Sequence, residues 1–183
     1  MRKIKLTAIA LGLMVSTAAS AAVSNGNLSF TFVGVVPATA QPGTTWKFLT
    51  ASGLDYQAPA AINFSLADVA TGLQLTSASE TFYIKPNGSA TFGTNAIKAQ
   101  LVAEPTISGT AIQASAMNTV VTTVTLNGQT VPVGSDLTIA ATGNNAQMLT
   151  LGTVVNIPTA ARNTAGGTVN VVAPIRFAVD IGA

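Results

Sequence analysis

The chain has 183 residues, of which eight are Lys or Arg and six are Asp or Glu, and it contains neither histidine nor cysteine. Disulfide bonds are therefore excluded, together with zinc and thiolate chemistry. An apolar chain with so few charges is weakly protected against association. This composition suits a subunit that lives inside an assembly, and a monomer with an apolar surface is the alternative.

The N-terminal segment, 1–21, predicts export. Three basic residues among the first five positions precede an apolar run at 6–15, and the small residues Ala19 and Ala21 follow it. This order is that of a secretory signal peptide, and the run is about half of the roughly 20 residues that a membrane-spanning helix needs. We expect cleavage after Ala21, which leaves residues 22–183. A retained N-terminal anchor is the alternative.

Removing the signal peptide changes the charge, because it takes three of the eight basic residues and none of the acidic ones. The mature chain, 22–183, then has five basic and six acidic residues, a net charge of −1. One domain of this length can bury a sizeable core without metal or disulfide bonds. The basic residues are too scattered to form a phosphate-binding stripe, so nucleic acid is not an expected partner. They are Lys47, Lys85, Lys98, Arg162 and Arg176.

The mature chain begins with alternating polar and apolar residues. It continues as short bursts in which every second residue is apolar. Several short strands at this spacing predict an all-β sandwich of the immunoglobulin-like type. No later segment has a sustained helical period; residues 65–70 could form one helical turn or the end of a strand. The bursts are Leu28, Phe30 and Phe32; Ile62, Phe64 and Leu66; Leu73 and Leu75; Phe82 and Ile84; Val120, Thr122, Val124 and Leu126.

Asn127-Gly128 is the sharpest turn signal, because it lies between two short β-prone segments at 123–126 and 130–133. We expect a hairpin with a type I′ turn, which needs positive φ at both central residues. Pro132 and Pro174 cannot donate a hydrogen bond to a strand ladder, so an edge or a bulge is expected at each.

The last predicted strand, at 168–181, alternates almost without error and therefore has one buried face. A strand that pairs beyond it must come from elsewhere in the chain or from another molecule. Its inward residues are Val169, Val171, Ala173, Ile175, Phe177, Val179 and Ile181.

The sequence contains few candidates for catalytic residues. The six acidic residues are far apart in sequence, and no serine or threonine has a visible base. An enzyme is not predicted, although folding could bring two carboxylates together for hydrolysis. Trp46 and Phe48 could stack on a sugar, but core packing is favoured because the chain has few aromatic residues for its interior.

Five segments resemble known proteins. The pattern Phe-x-Gly-x-Val at 32–36 resembles the first strand of chaperone-usher pilins. Taken together, the five segments named at the end of this paragraph are similar to the major pilins of the coli-surface-antigen colonisation fimbriae of enterotoxigenic bacteria. Residues 55–117 add no recognised motif. The segments are Ala22-Val23-Ser24-Asn25-Gly26, Gly34-Val35-Val36-Pro37, Leu126-Asn127-Gly128-Gln129, Val172-Ala173-Pro174 and Phe177-Ala178-Val179-Asp180-Ile181.

The resemblance implies an immunoglobulin-like sandwich at 32–183 that lacks its final strand, preceded by a donor-strand extension at 22–31. The donor residues would be Val23, Gly26, Leu28 and Phe30. The acceptor groove would be lined by Phe32, Gly34, Val36, Val169, Val171, Ile175, Phe177, Val179 and Ile181.

The implied partners are neighbouring copies of the pilin, a periplasmic chaperone that also anchors the carboxylate of Ala183, an outer-membrane usher, a minor tip subunit and a host-cell receptor. No cofactor is implied. The implied function is the structural major subunit of an adhesive fimbria, exported through the periplasm to the cell surface and polymerised by donor-strand exchange.

Three alternatives stay open. The first segment could be an ordinary strand that pairs within its own domain. The chain could be a minor or tip adhesin that binds a host glycan, although such subunits usually carry a separate lectin domain. It could also be a self-contained secreted sandwich that needs no donor strand.

Overall fold

The computed structural model describes residues 45–182, apart from the side chain of Asn95. In this part the chain forms twelve strands and two short 3-10 helices, at Ala114–Thr119 and Thr159–Ala161. None of its helices is long and apolar enough to cross a membrane. The strands are β1 Trp46–Leu49, β2 Phe64–Val69, β3 Gly72–Ser77, β4 Glu80–Pro86, β5 Thr91–Leu101, β6 Thr106–Ser108, β7 Val121–Leu126, β8 Gln129–Thr130, β9 Leu137–Ile139, β10 Gln147–Pro158, β11 Asn170–Val172 and β12 Ile175–Gly182.

The first layer is built around β10, the longest of these strands. One edge of β10 pairs with β7, and its other edge pairs first with β4 and then with β3, so that β3 and β4 run end to end. Strands β1 and β2 extend the layer outward from β4 and β3, and β8 pairs with β7. All of these pairings are antiparallel, as expected where successive strands are joined by short connections.

The second layer has β5 at its centre, with β12 on one side and β9 on the other. Strands β6 and β11 pair with each other and prolong β5 and β12 past a break in both strands. The break falls at Glu104-Pro105 in one strand and Ala173-Pro174 in the other. Each proline lacks a backbone donor, which explains why the ladder stops at this level.

Two hydrophobic clusters fill the space between the layers. The larger lies among β1, β4, β5, β7, β9 and β10, and includes the fully buried Ile84, Ile97, Leu126 and Leu149. The smaller lies beyond the break, under β3, β6 and β11, and includes Val155 and Ile157. Each large aliphatic side chain buried in this way contributes about 1.5 to 3 kcal/mol. The prediction of an all-β, immunoglobulin-like sandwich is confirmed.

The hairpin at Asn127-Gly128 is also confirmed. Both residues have positive φ, 50° and 78°, as a type I′ turn requires. The Thr150 N–H donates to Oδ1 of Asn127 over 2.8 Å, which fixes the turn against β10. The predicted second arm at 130–133 is wrong in length, because β8 ends at Thr130. Pro132 has no N–H to donate to β7, and its oxygen accepts from the N–H of Leu101 instead.

The prediction of one continuous strand at 168–181 is wrong, because β11 ends at Val172 and β12 starts at Ile175. The interruption expected at Pro174 is confirmed. The predicted alternation continues after it, because the inward residues of β12 are half-buried and the residues between them are exposed. Residues 65–70, for which a helical turn was the alternative, lie almost entirely in strand β2.

Candidate functional site

The outer edge of β12 is the main candidate for a functional site. Both backbone groups of Leu101 bond away from β12, because its N–H donates to Pro132 O and its oxygen accepts from Gly134 N–H. Leu101 and its partner Ile175 are therefore a non-hydrogen-bonded pair of the ladder. Since alternate residues of an antiparallel strand bond to the same side, the backbone groups of Ile175, Phe177 and Val179 point to the outer edge. No other strand in the described part of the chain pairs with that edge.

Pro174 leaves this outer edge intact. Its carbonyl oxygen accepts from the N–H of Val102 at 3.0 Å, so its nitrogen also faces β5. The donor that proline lacks is thus missing from the paired side of the strand. The outer edge keeps every backbone donor from Ile175 to the bulge after Val179.

The inward face of β12 meets a cluster of aromatic side chains from the first layer. The Phe177 ring packs edge-to-face against Phe48 and Phe82, with centroids 5.6 Å apart in each pair. Phe48 in turn packs edge-to-face against Trp46 at 4.9 Å. Each such pair contributes about 0.5 to 1.5 kcal/mol beyond the area that it buries. The preference for core packing of Trp46 and Phe48 is confirmed.

An open cavity of about 650 Å³ lies between β1 and β12 over this aromatic cluster. Its lining is mostly apolar and includes Leu151, Pro174 and Ile175 besides the rings. The inward side chains of β12 are only half-buried beside it, whereas Leu149 and Val155 on β10 are fully buried. A partner that covered this groove would therefore gain apolar burial.

The loop after β1 forms the opposite wall of the groove. It folds back on β1, because the Tyr56 N–H donates to Phe48 O at 3.1 Å. The Tyr56 ring packs on Phe82, and its hydroxyl donates to Oε1 of Glu80 at 2.9 Å. Burial, and then the hydrogen bond to Glu80, raise the pKa of Tyr56 above its usual value. The hydroxyl therefore stays protonated and keeps the ring in place.

The structure brings together four of the predicted acceptor residues. Ile175, Phe177, Val179 and Ile181 pack against the larger cluster, and the first two of them line the cavity. Val169 and Val171 lie beyond the break and pack against the smaller cluster instead. The predicted groove is thus divided at Pro174 between the two clusters.

The remaining predicted site residues lie outside the described residues. They are the donor residues Val23, Gly26, Leu28 and Phe30, the first-strand residues Phe32, Gly34 and Val36, and the predicted chaperone anchor Ala183.

Sequence reasoning missed the wall of the groove formed by Phe82, Tyr56 and Leu151. Only the alternation of Trp46 and Phe48 hinted that aromatic residues gather there.

The acidic residues of the described part are dispersed. Asp136 pairs with Lys98 and Arg176, Asp68 pairs with Arg162, and Glu80 is bonded to Tyr56. Among residues 45–182 no three acidic side chains are grouped as a metal site would need. Asp68, Glu80 and Asp136 therefore act within the fold as partners of basic and hydroxyl groups.

No family model matches this chain. It is similar to the CS5 fimbrial subunit of Escherichia coli, with 28% identity over 206 aligned residues. The alignment covers 98% of this chain and 99% of the relative, so the two are alike from end to end. This similarity, together with the all-β sandwich, supports a role as a fimbrial subunit at the cell surface.

Proposed function

We propose that this chain is the structural major subunit of an adhesive bacterial fimbria, polymerised by donor-strand exchange and serving attachment to host cells. The observation that carries the proposal is the outer edge of β12, which presents backbone groups of Ile175, Phe177 and Val179 and borders an apolar groove at Ile175 and Phe177. An edge of this kind is a template for an added strand. The similarity to a fimbrial subunit supports another copy of the chain as the source of that strand.

The proposed occupant is the extension at 22–31 of a neighbouring copy. Its apolar residues Leu28 and Phe30 are two positions apart, so both point to one face of an extended strand. That spacing matches the two-residue spacing of the inward side chains on β12. Burying two such side chains contributes about 1.5 to 3 kcal/mol each, before the cost of ordering the extension.

Assembly would follow the chaperone-usher route. After export and cleavage after Ala21, a periplasmic chaperone fills the groove with a strand of its own and holds the carboxylate of Ala183. At the outer-membrane usher the extension of the next subunit replaces that strand. A minor tip subunit and a host-cell receptor are the remaining proposed partners. The proposal requires no catalysis and no cofactor.

Charge substitutions in the extension test this proposal. Phe30→Asp or Leu28→Arg would place an unpaired ion in an apolar groove, which costs several kcal/mol. We expect surface fibres to disappear while the subunit is still recovered from the periplasm with its chaperone. Ser29→Asp is the matched control, because residue 29 points to the opposite face of the extension. Fibres of that variant should be nearly normal under electron microscopy.

Two outcomes would contradict the proposal. If Phe30→Asp assembles as well as Ser29→Asp, the extension does not occupy the groove in this register. If Phe30→Asp instead abolishes chaperone binding, the segment belongs to the core of its own subunit. A mature chain that, without any chaperone, stays monomeric and never polymerises through its groove would favour the self-contained secreted sandwich.

A further inference from the structure

The outer edge of β2, in the first layer, is a second open strand edge. The Ala78 N–H donates to Asn63 O at 2.9 Å, so Asn63 bonds toward β3. Since alternate residues of an antiparallel strand bond to the same side, the backbone groups of Phe64, Leu66 and Asp68 point away from β3. No other strand in the described part of the chain pairs with them. This edge, like that of β12, could therefore accept an added strand.

Leu66 makes the β2 edge attractive to another strand. It pairs with Leu75, a buried residue of the smaller cluster, so its side chain lies on the inner face of the layer. It is nevertheless 68% exposed, and Val69 is exposed as well. The strand contains no proline and no lysine, and its register with β3 is unbroken. An open edge of this composition is prone to pair with another chain.

Asp68 is the one charged residue of β2. It pairs with Leu73, which packs against the smaller cluster, so Asp68 also lies on the inner face, two positions from Leu66. Its side chain is 85% exposed, and Oδ1 lies 3.4 Å from Nη1 of Arg162. An ion pair as exposed as this contributes little to the stability of the fold. A charge on the inner face of an edge strand, by contrast, is one of the means by which natural sheets prevent edge-to-edge pairing.

Pairing of β2 with β2 of a second copy would bring Asp68 against apolar side chains. Residues that face each other across an antiparallel pair lie on the same face, so a symmetric pair must be centred on one residue. Centred on Leu66, the pair places Asp68 opposite Phe64 of the second copy. Centred on Ala67, it places Asp68 opposite Leu66 of the second copy. Either register would take the carboxylate out of water beneath an apolar side chain, which is unfavourable.

We propose that Asp68 prevents the β2 edge from pairing with other copies and so confines strand addition to the β12 edge. The inference rests on the proposed function, in which β12 is the edge that receives a strand. The two edges differ as this role requires. The inward side chains of β12 between Ile175 and Val179 are all apolar, whereas β2 has an inward carboxylate beside Leu66. Fibres would then grow through one edge without joining side by side through the other.

Removal of the charge should join fibres laterally. Asp68→Val and the isosteric Asp68→Asn should leave the subunit folded, because only an exposed ion pair is lost. Low-speed sedimentation and electron microscopy of fibres measure the joining, since the β12 edge is already occupied in a fibre. We expect about tenfold more sedimented fibre for Asp68→Val than for the wild type, the size of effect of one buried polar group left unpaired. Asp68→Asn should act in the same direction but less strongly.

Three further variants are the controls. Arg162→Gln breaks the same ion pair but keeps the carboxylate, so its fibres should stay as separate as those of the wild type. Ser65→Val adds a β-prone apolar side chain to the outer face of β2, and its fibres should also stay separate. Leu66→Lys, added to Asp68→Val, restores a charge to the inner face and should separate the joined fibres again.

Three results would overturn the inference. The first is that fibres of Asp68→Val and Asp68→Asn sediment no more than those of the wild type. The second is joining of Arg162→Gln fibres to the same extent, which would assign the effect to the ion pair instead of the inward charge. The third is joining that persists when Leu66→Lys is added, which would assign the lateral contact to another surface. If the wild type forms no fibres at all, the proposed function fails instead.

Discussion

A proline placed on β12 distinguishes the outer edge from the paired edge of the strand. The N–H of Val179 points to the outer edge, so Val179→Pro removes no hydrogen bond to β5. Ala178 pairs with Lys98 and its N–H points toward β5, so Ala178→Pro removes a bond of the ladder. The two substitutions lie at adjacent positions and introduce the same ring.

The two prolines should therefore have opposite effects. Proline is tolerated where a strand edge faces solvent, so Val179→Pro should cost the isolated subunit only about 1 kcal/mol for its altered side chain. In a fibre it would leave a buried acceptor of the donor strand unpaired, a loss of about 1 to 3 kcal/mol, and its ring would hinder the approach of that strand. Ala178→Pro should destabilise the subunit itself by about 3 kcal/mol or more.

Urea unfolding of the monomeric mature subunit, followed by Trp46 fluorescence, measures the first effect, and heating of fibres in detergent measures the second. Val179→Pro should keep the urea midpoint near that of the wild type and abolish or weaken the fibres. If Val179→Pro unfolds the subunit as severely as Ala178→Pro, the outer edge of β12 is already paired within the subunit. The donor-strand proposal would then be refuted.

Four further predictions concern the groove and the fold. Phe177→Ala should weaken fibres more than it weakens the subunit in urea, because its half-exposed ring becomes fully buried only when the groove is filled. Gly72→Ala should prevent accumulation of folded subunit, because φ is +149° and the new Cβ would clash with the carbonyl oxygen of Ile157; Gly53→Ala, at φ +81° with open space, is the milder control. The raised pKa of Tyr56 gives stability that is full below pH 10 and is lost as the pH rises above it, so Tyr56→Phe should flatten the alkaline fall of the urea midpoint. Reductant should leave unheated multimers intact on a gel, since the chain has no cysteine, and heat should reduce them to monomers.

The sequence predicted the elements whose signals are local. Alternation identified the inward face of β12, because side chains on a strand follow a period of two wherever the strand pairs. The Asn127-Gly128 turn was predictable because few residues accept positive φ at both positions.

Other features depend on distant residues and could not be read from the pattern. Alternation does not reveal which strand pairs with which, so the change from β11 to β12 at Pro174 divided one apparent strand between two ladders. The aromatic wall of the groove was hidden for the same reason. Phe82 and Tyr56 are far apart in sequence and meet only when the loop after β1 folds back on β1 and packs the Tyr56 ring against Phe82 of β4.

The edge of β12 lacks the features by which proteins usually protect an exposed strand. Such edges carry inward charges, prolines or bulges that prevent pairing with another chain. Between Ile175 and Val179 the inward side chains are apolar, the proline at 174 faces the paired side, and the bulge comes only after Val179. An unprotected edge of this kind, in a chain with so few charges, favours pairing with a strand of another chain over a stable monomeric state. The same edge that would make an isolated subunit prone to aggregate would therefore give a fibre its strongest contact, provided that a chaperone occupies the groove until the next subunit arrives.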